Sequence, residues 1–192
     1  MPEIDDDRAE VINYGLQNIV GEVPKIILLF IIAFFFKMLK ETIFMFLALL
    51  LYRGASGGFH LKTHLGCIIG TTIFYCGTVF LSQHIVFDEL IKYILISIIW
   101  IFGMIMIKLY APADTENVPI LSKKNRKKKK YVAYITYSIG LLISIFIKDS
   151  TISNILIFGN FVQTLTITKI AYRLTNNKYG YEVYKDTSYE II

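Results

Sequence analysis

Charge is what this sequence has least of. Only 18% of its 192 residues are Asp, Glu, Lys or Arg, against about a quarter in an ordinary soluble domain. Apolar residues make up 55% and the mean hydropathy is +0.54. So little charge cannot cover a soluble surface, and the composition points to a membrane protein. Cysteine is nearly absent as well: Cys67 and Cys76 are the whole complement. Both fall in one apolar stretch, which excludes a secreted disulfide framework. With 12 glycines and 4 prolines the composition is neither that of collagen nor that of a disordered tail. A basic leader is missing too, since the first ten residues include Glu3, Asp5, Asp6, Asp7 and Glu10, so no cleavable signal peptide is expected. The length leaves room for one integral bundle of short-looped helices and none for a separate soluble domain of ordinary size.

What is present organises itself around charges. The 25 positions from Thr63 to Phe87 carry none if His64 and His84 are neutral, enough for a helix to cross a bilayer. A span is expected at about 66–83, and others at Leu90–Leu109, Tyr131–Ile147 and Ser150–Thr168. Lys92 and Lys108 stand near the ends of the second, within reach of headgroups. The region before them is ambiguous. Ile26–Phe36 and Thr42–Tyr52 are eleven apolar residues each, and eleven residues rise only about 16 Å as helix, half a bilayer core. One reading is a single long span in which Lys37 and Glu41 pair four apart; the other is a hairpin of two short or tilted helices. Upstream, Val11, Ile12, Leu16, Ile19, Val20 and Val23 recur at helical spacing, suggesting an interfacial helix over 9–23 that stops at Pro24.

Orientation follows from the basic run, where seven of the 20 basic residues fall between Lys123 and Lys130. Short loops rich in Lys and Arg resist translocation, so this segment is expected in the cytoplasm. Counting back two spans, Arg53 to Gly66 is expected there as well. The loop at Asp88-Glu89 and the turn at Lys148-Asp149 then face outside. The lysines also attract anionic lipid. A single basic run with no base-stacking surface argues against nucleic acid.

Four glycines, two histidines and a cysteine crowd the stretch Arg53-Gly-Ala-Ser-Gly57-Gly58-Phe-His60-Leu-Lys-Thr-His64-Leu-Gly-Cys67. Gly57-Gly58 allows positive φ and close approach to another chain segment. Cys67 falls near the start of the next helix, where the dipole favours a thiolate, and a histidine that takes its proton suffices for nucleophilic acyl transfer. If 60–67 were all helical, His64 would stand one turn from Cys67 and His60 two turns away, about 10 Å along the axis. His60 reaches the sulfur only if the chain bends, which Gly58 and Gly66 permit. Spacing leaves both histidines open as the base. Two plainer readings compete: packing for the cysteine with interfacial anchoring for the histidines, and a Zn or Cu site built from His60, His64 and Cys67 on one helical face. The second lacks a fourth ligand and an acidic partner shell, so no metal or other cofactor is expected. Cys76 sits mid-span without a charged neighbour and reads as core.

Arg53-x3-Gly57-Gly58-x-His60, with Cys67 seven residues on, resembles the AgrB family, the membrane-embedded cysteine endopeptidases of Gram-positive quorum sensing. The layout is similar too, with an early hydrophobic pair, Lys108-Leu-Tyr-Ala-Pro-Ala113 and Pro119 ahead of a basic loop, and two last spans. Leu61 departs from the small residue common there. The resemblance implies an all-α integral membrane protein, a polytopic helical bundle of six membrane helices after an N-terminal interfacial helix, and a homodimer. It implies Cys67 as nucleophile and His60 as base, with Arg53, Gly57 and Gly58 in support. His64 has no counterpart in the motif and stands as the rival base. The implied substrate is an AgrD-like propeptide. Its C-terminal part would be cut off through an acyl-enzyme thioester, which a side chain of the bound peptide then attacks to give a cyclic thiolactone or lactone.

Lys127, Lys128, Lys129 and Lys130 would then be candidates to dock the charged tail of that substrate, beside their plainer role in topology. Asp114, Glu116 or Asn117 are candidates to orient His60, and Arg53 either assists an oxyanion or snorkels to headgroups. The expected division is an interfacial segment over 1–23, a membrane catalytic domain over 24–172 and a cytoplasmic tail over 173–192. Within the catalytic domain fall an active-site loop at 53–67 and a basic cytoplasmic loop at 110–130. The alternative is a non-catalytic small transporter or assembly factor in which the His/Cys cluster packs or binds metal.

Overall fold

The structure, a computed structural model, describes residues 22–116, 118–120 and 122–184. Those residues form helices and no strands: α1 over 22–35, α2 Leu39–Ser56, α3 His64–His84, α4 Glu89–Tyr110, α5 Lys123–Phe146, α6 Ser150–Thr166, α7 Lys169–Leu174 and α8 Gly180–Val183. Two of them, α3 and α4, are long and apolar enough to cross a membrane.

The polarity of the bundle is inverted relative to a soluble protein. Its surface presents Ile69, Ile73, Phe80, Ile94, Ile98, Ile101 and Ile105, all exposed. Its interior holds Thr78, Ser82, Ser144, Ser153, Asn154, Asn160, Gln163 and Thr164. Such an exterior suits hydrocarbon rather than water as solvent. The interior polar groups bond inward: Asn154 donates to the carbonyls of Ser82 and Ile85, Ser153 to Ser144, and Thr164 to Asn160. In lipid such pairing is obligatory. Most of these groups belong to α6, the central helix, against which α2, α4, α5 and the second half of α3 pack. Tyr137 of α5 donates to the Ile99 carbonyl of α4 over the bare backbone of Gly103, where any side chain would overlap its ring.

The ambiguous early region is a hairpin. Helix α1 ends at a turn in which Lys37 takes φ 57° and the Met38 amide donates to Ala33. The ring centroids of Phe30 and Phe46 then meet at 5.7 Å; in one continuous helix sixteen residues would separate them by about 24 Å. The single-span reading is therefore corrected, and with Lys37 in the turn no ion pair to Glu41 forms. Pro24 is no boundary either, because residues 22–35 are helical through it. A proline withholds only its own donor and crowds the carbonyl four residues back, so the residues after it continue the ladder. The rest of the expected interfacial helix, 9–21, lies outside the described residues.

Helices cover each of the four later segments expected from hydropathy, with shifted ends, and the first two of them are the helices long and apolar enough to cross a membrane. Residues Ile73–Gly77 of α3 form a wide π turn, around which Thr78 Oγ1 donates to the Phe74 carbonyl. The expected basic loop ends early, since Lys123–Lys130 are the first turns of α5, capped by Ser122, which accepts from the Asn125 amide. Seven cations oppose that helix's dipole, but neighbouring helix ends supply the missing negative charge. Lys130 Nζ donates to the Lys108 carbonyl at the end of α4, and Lys129 Nζ to the Gly54 carbonyl near the end of α2. Past α6 the chain returns onto the bundle. Tyr172 and Tyr179 stack with centroids 4.0 Å apart, and the Tyr179 hydroxyl donates to the Ile167 carbonyl.

Candidate active site at the cysteine-bearing helix start

Helix α2 ends because Gly57 turns to φ 75° and Gly58 to φ 148°, conformations that favour glycine. The turn is forced by what it meets. Gly58 N–H donates to the Ala113 carbonyl at 3.0 Å and Ala113 N–H to the Ser56 carbonyl at 2.8 Å, a single parallel bridge. The double glycine and the Tyr110-Ala-Pro-Ala113 stretch, read separately in the sequence, are two sides of one contact. The Tyr172 hydroxyl holds it from behind by donating to the carbonyls of Ala113 and Asp114.

Arg53, one turn before the glycines, points inward rather than to the surface. Its Nη1 donates to Gln163 Oε1 at 2.9 Å and its guanidinium lies over Phe74, 5.9 Å from the ring centroid. Gln163, fully buried, spends its own donors on Ser56 Oγ and the Gly57 carbonyl. Helix α6 thus fixes both the arginine and the glycine turn.

His60 lies in a segment without regular secondary structure, pinned from both sides. The Phe59 amide donates to the Thr166 carbonyl at 3.3 Å, and Asn177 Nδ2 donates to the His60 carbonyl at 2.7 Å. By surface area His60 is an exposed residue. The desolvation it does undergo holds its pKa below the ordinary histidine value, with the Arg53 charge acting the same way, Glu22 opposing and Lys25 lowering it as well. A neutral imidazole is the form that accepts a proton.

Cys67 is the fourth residue of α3. Thr63 caps that helix by accepting from the Gly66 amide at 3.1 Å, and the Cys67 amide donates to the Thr63 carbonyl. The half-buried thiol opens on a cavity of about 150 Å³ walled by Arg53, Phe59, Leu61, Gly70, Phe74 and Tyr75. The sulfur's one partner within hydrogen-bond range, among the described residues, is Lys25 Nζ of α1 at 3.7 Å. Arg53 also lines a second cavity of about 150 Å³, with Gly57, Gly58, His60 and Asp114.

Arg53 borders both cavities, one with Cys67 and the other with Gly57, Gly58 and His60, and among the described residues neither histidine makes a hydrogen bond to the sulfur. Helical spacing does not apply to His60, because α3 begins only at His64; for the same reason His60, His64 and Cys67 do not share a helical face. His64 is exposed and lines neither cavity. Asp114 is committed elsewhere, to Arg126 Nη1 at 2.9 Å and to the Ile120 amide. Glu116 makes no contact with His60 among the described residues, and Asn117 lies outside them. Lys127 and Lys128 are exposed, whereas Lys129 and Lys130 cap helix ends. Cys76 lies within the π turn of α3.

The family model for Accessory gene regulator B matches residues 2–167. The chain belongs to the AgrB family. An AgrB-like protein of Clostridium acetobutylicum is 26% identical over 165 residues, covering 86% of this chain and 77% of the relative. One of Listeria monocytogenes is 29% identical over 185 residues, 94% and 88%. One of Clostridium perfringens is 34% identical over 146 residues, 73% and 67%. No solved structure matches the chain significantly. AgrB membership and the two apolar helices together place the chain among membrane proteins of the accessory gene regulator system.

Sequence reasoning missed four members of this neighbourhood: Lys25, Glu22, Gln163 and Asn177. A signal existed for one. Asn154, Asn160 and Gln163 interrupt an otherwise apolar span, and polar residues inside a span mark its interior face.

Proposed function

We propose that this AgrB protein is a membrane cysteine endopeptidase that cuts an AgrD-like propeptide and promotes cyclisation of the released segment. The observation that carries the reading is Cys67, set at a capped helix start beside an apolar cavity walled by the inward-turned Arg53, which also borders the cavity that His60 lines. His60 takes the Cys67 proton, and the sulfur attacks the scissile carbonyl. The C–N bond breaks, the leaving amine takes the proton back from the His60 imidazolium, and a thioester remains on Cys67. A thiol or hydroxyl of the bound peptide then attacks that thioester, giving the ring and freeing the cysteine. Exchange between thioesters is close to isoenergetic, so ring closure depends on keeping water away, and the aromatic and aliphatic walls serve that purpose. A cavity of this size accepts about one ring-sized apolar group, suited to one side chain of the peptide.

Catalytic hydrogen bonds often form only with substrate bound, so the separation of His60 from the sulfur is compatible with its role as base. The topology we propose has α1 to α6 crossing the membrane, with this site and the start of α5 at the cytoplasmic face, in a homodimer. Lys127 and Lys128 are then the lysines free to meet an acidic substrate tail or lipid phosphate. The test is processing of the cognate propeptide in membranes. Cys67→Ala and Cys67→Ser should abolish cleavage with expression intact, and His60→Ala should abolish it while His64→Ala does not. Cleavage by Cys67→Ala at the normal rate leaves the non-catalytic reading standing.

A further inference from the structure

The thiol that this reading makes the nucleophile has a cation beside it that its motif does not contain. Lys25 enters from α1, 42 positions away in sequence, and its Nζ stands 3.7 Å from Cys67 Sγ. Its side chain is 8% exposed, while its one anionic partner among the described residues, Glu22 on the same helix, is 52% exposed. A buried ammonium is costly unless it is paired, and here the carboxylate covers its outer side. Its inner side is left to the sulfur.

Resting on the endopeptidase reading, we infer that Lys25 is a catalytic residue, whose ammonium holds the Cys67 sulfur while that sulfur carries negative charge. The charge exists twice in the cycle. It forms when the thiol proton leaves for His60 and vanishes as the S–C bond is made. It returns when the peptide's own nucleophile takes the acyl group and the S–C bond breaks. Lys25 takes no part in the proton transfers and acts only as a charge. It therefore favours attack in the first half and departure of sulfur in the second, since a stabilised thiolate is the better leaving group. Among the described residues the other charged or titratable groups facing this point are Glu22 of α1, which opposes the effect, Arg53 of α2 and Tyr75 of α3, which line the same cavity, and His60 of the loop. The hairpin turn at Lys37 is what makes the arrangement available, because only a reversal of α1 against α2 returns Lys25 to the cysteine end of the bundle.

The experiment reads the thiol directly and needs no substrate. The full chain in membranes is treated with iodoacetamide across the neutral-to-alkaline range, and labelling of Cys67 is followed by peptide mass spectrometry with Cys76 as internal reference. Lys25→Met should slow Cys67 labelling at neutral pH about tenfold, moving its profile to higher pH. Lys25→Arg should retain the wild-type profile, and Cys76 labelling should be unchanged in both. Glu22→Gln keeps the lysine and should shift the Cys67 profile to lower pH, which keeps the proposal testable if Lys25→Met does not accumulate. A wild-type profile in Lys25→Met, or the same slowing in Lys25→Arg, overturns the proposal. A Cys67→Ala variant that still processes propeptide would instead sink the peptidase reading and leave the labelling result untouched, so the two failures are distinguishable.

Discussion

Gly57 and Ala113 lie backbone against backbone, so close that a Cβ added at Gly57 would overlap the Ala113 carbonyl. The same residue holds φ at 75°, where a side chain is strained by about 1–3 kcal/mol. Both effects act together in Gly57→Ala, which must part the bridge between the helix end and the loop after α4. We expect a fall of several degrees in melting temperature in detergent and loss of propeptide cleavage. Gly54→Ala, three residues earlier, meets nothing within 4 Å and replaces a helical glycine, so it should hold or slightly raise the melting temperature. Equal stability of the two variants would contradict the contact.

The His60 ring should titrate below the ordinary histidine value of about 6.5, because burial first and the Arg53 charge second disfavour its cation. The sign for stability follows. A depressed folded-state value means that protonation opposes folding, so the contribution present above about pH 6.5 is lost as the pH falls through the folded-state value. Imidazole NMR on histidine-labelled protein would read the midpoint directly, and three histidines in the chain make assignment by His60→Gln and His64→Gln practical. A Cys67→Ser background removes coupling to the thiol. Glu22→Gln, which deletes the one carboxylate raising the value, should move the midpoint further down. A His60 midpoint above that of free histidine would contradict the assignment.

Gln163 ties Arg53 to the glycine turn, so its truncation should reach further than its own two donors. Gln163→Leu leaves the Gly57 carbonyl, Ser56 and the Arg53 guanidinium short of a partner, at about 1–3 kcal/mol for each group left buried and unpaired. Gln163→Glu keeps an acceptor for Arg53 while losing the donor to Gly57, and should fall between Leu and wild type in both melting temperature and cleavage. Equal loss in the two variants would mean that the arginine contact contributes nothing.

How much of this was legible depended on distance along the chain. The four later helices could be read because a long apolar run between charges favours a continuous helix. Arg53, Gly57, Gly58, His60 and Cys67 could be gathered because they are local in sequence. Lys25 and Asn177 could not: they reach the site through the α1–α2 reversal and through the return of the chain after α6. The reversal itself hinges on Lys37 adopting φ 57°, uncommon outside glycine and asparagine and unsignalled by composition. The basic run misled for a different reason. Lysines are good helix formers, and the carbonyls that make a cationic helix start tolerable belong to other helices.

That arrangement separates the lysines experimentally. Lys130 Nζ donates to the Lys108 carbonyl at 2.9 Å, closing the end of α4, whereas Lys127 and Lys128 are exposed on α5 and make no such bond among the described residues. Lys130→Met should therefore cost about 0.5–1.5 kcal/mol, as one hydrogen bond to a helix end, read as a lower melting temperature in detergent. Lys127→Met with Lys128→Met should leave the melting temperature unchanged. If these two lysines meet an acidic substrate tail, the same double variant should raise KM for the propeptide while kcat stays near wild type, and added salt should narrow the difference, because surface attraction is screened over about 10 Å at 0.1 M ionic strength. A double variant that lowers stability as Lys130→Met does, with KM unmoved, would place the whole run in the scaffold and leave none of it for the substrate.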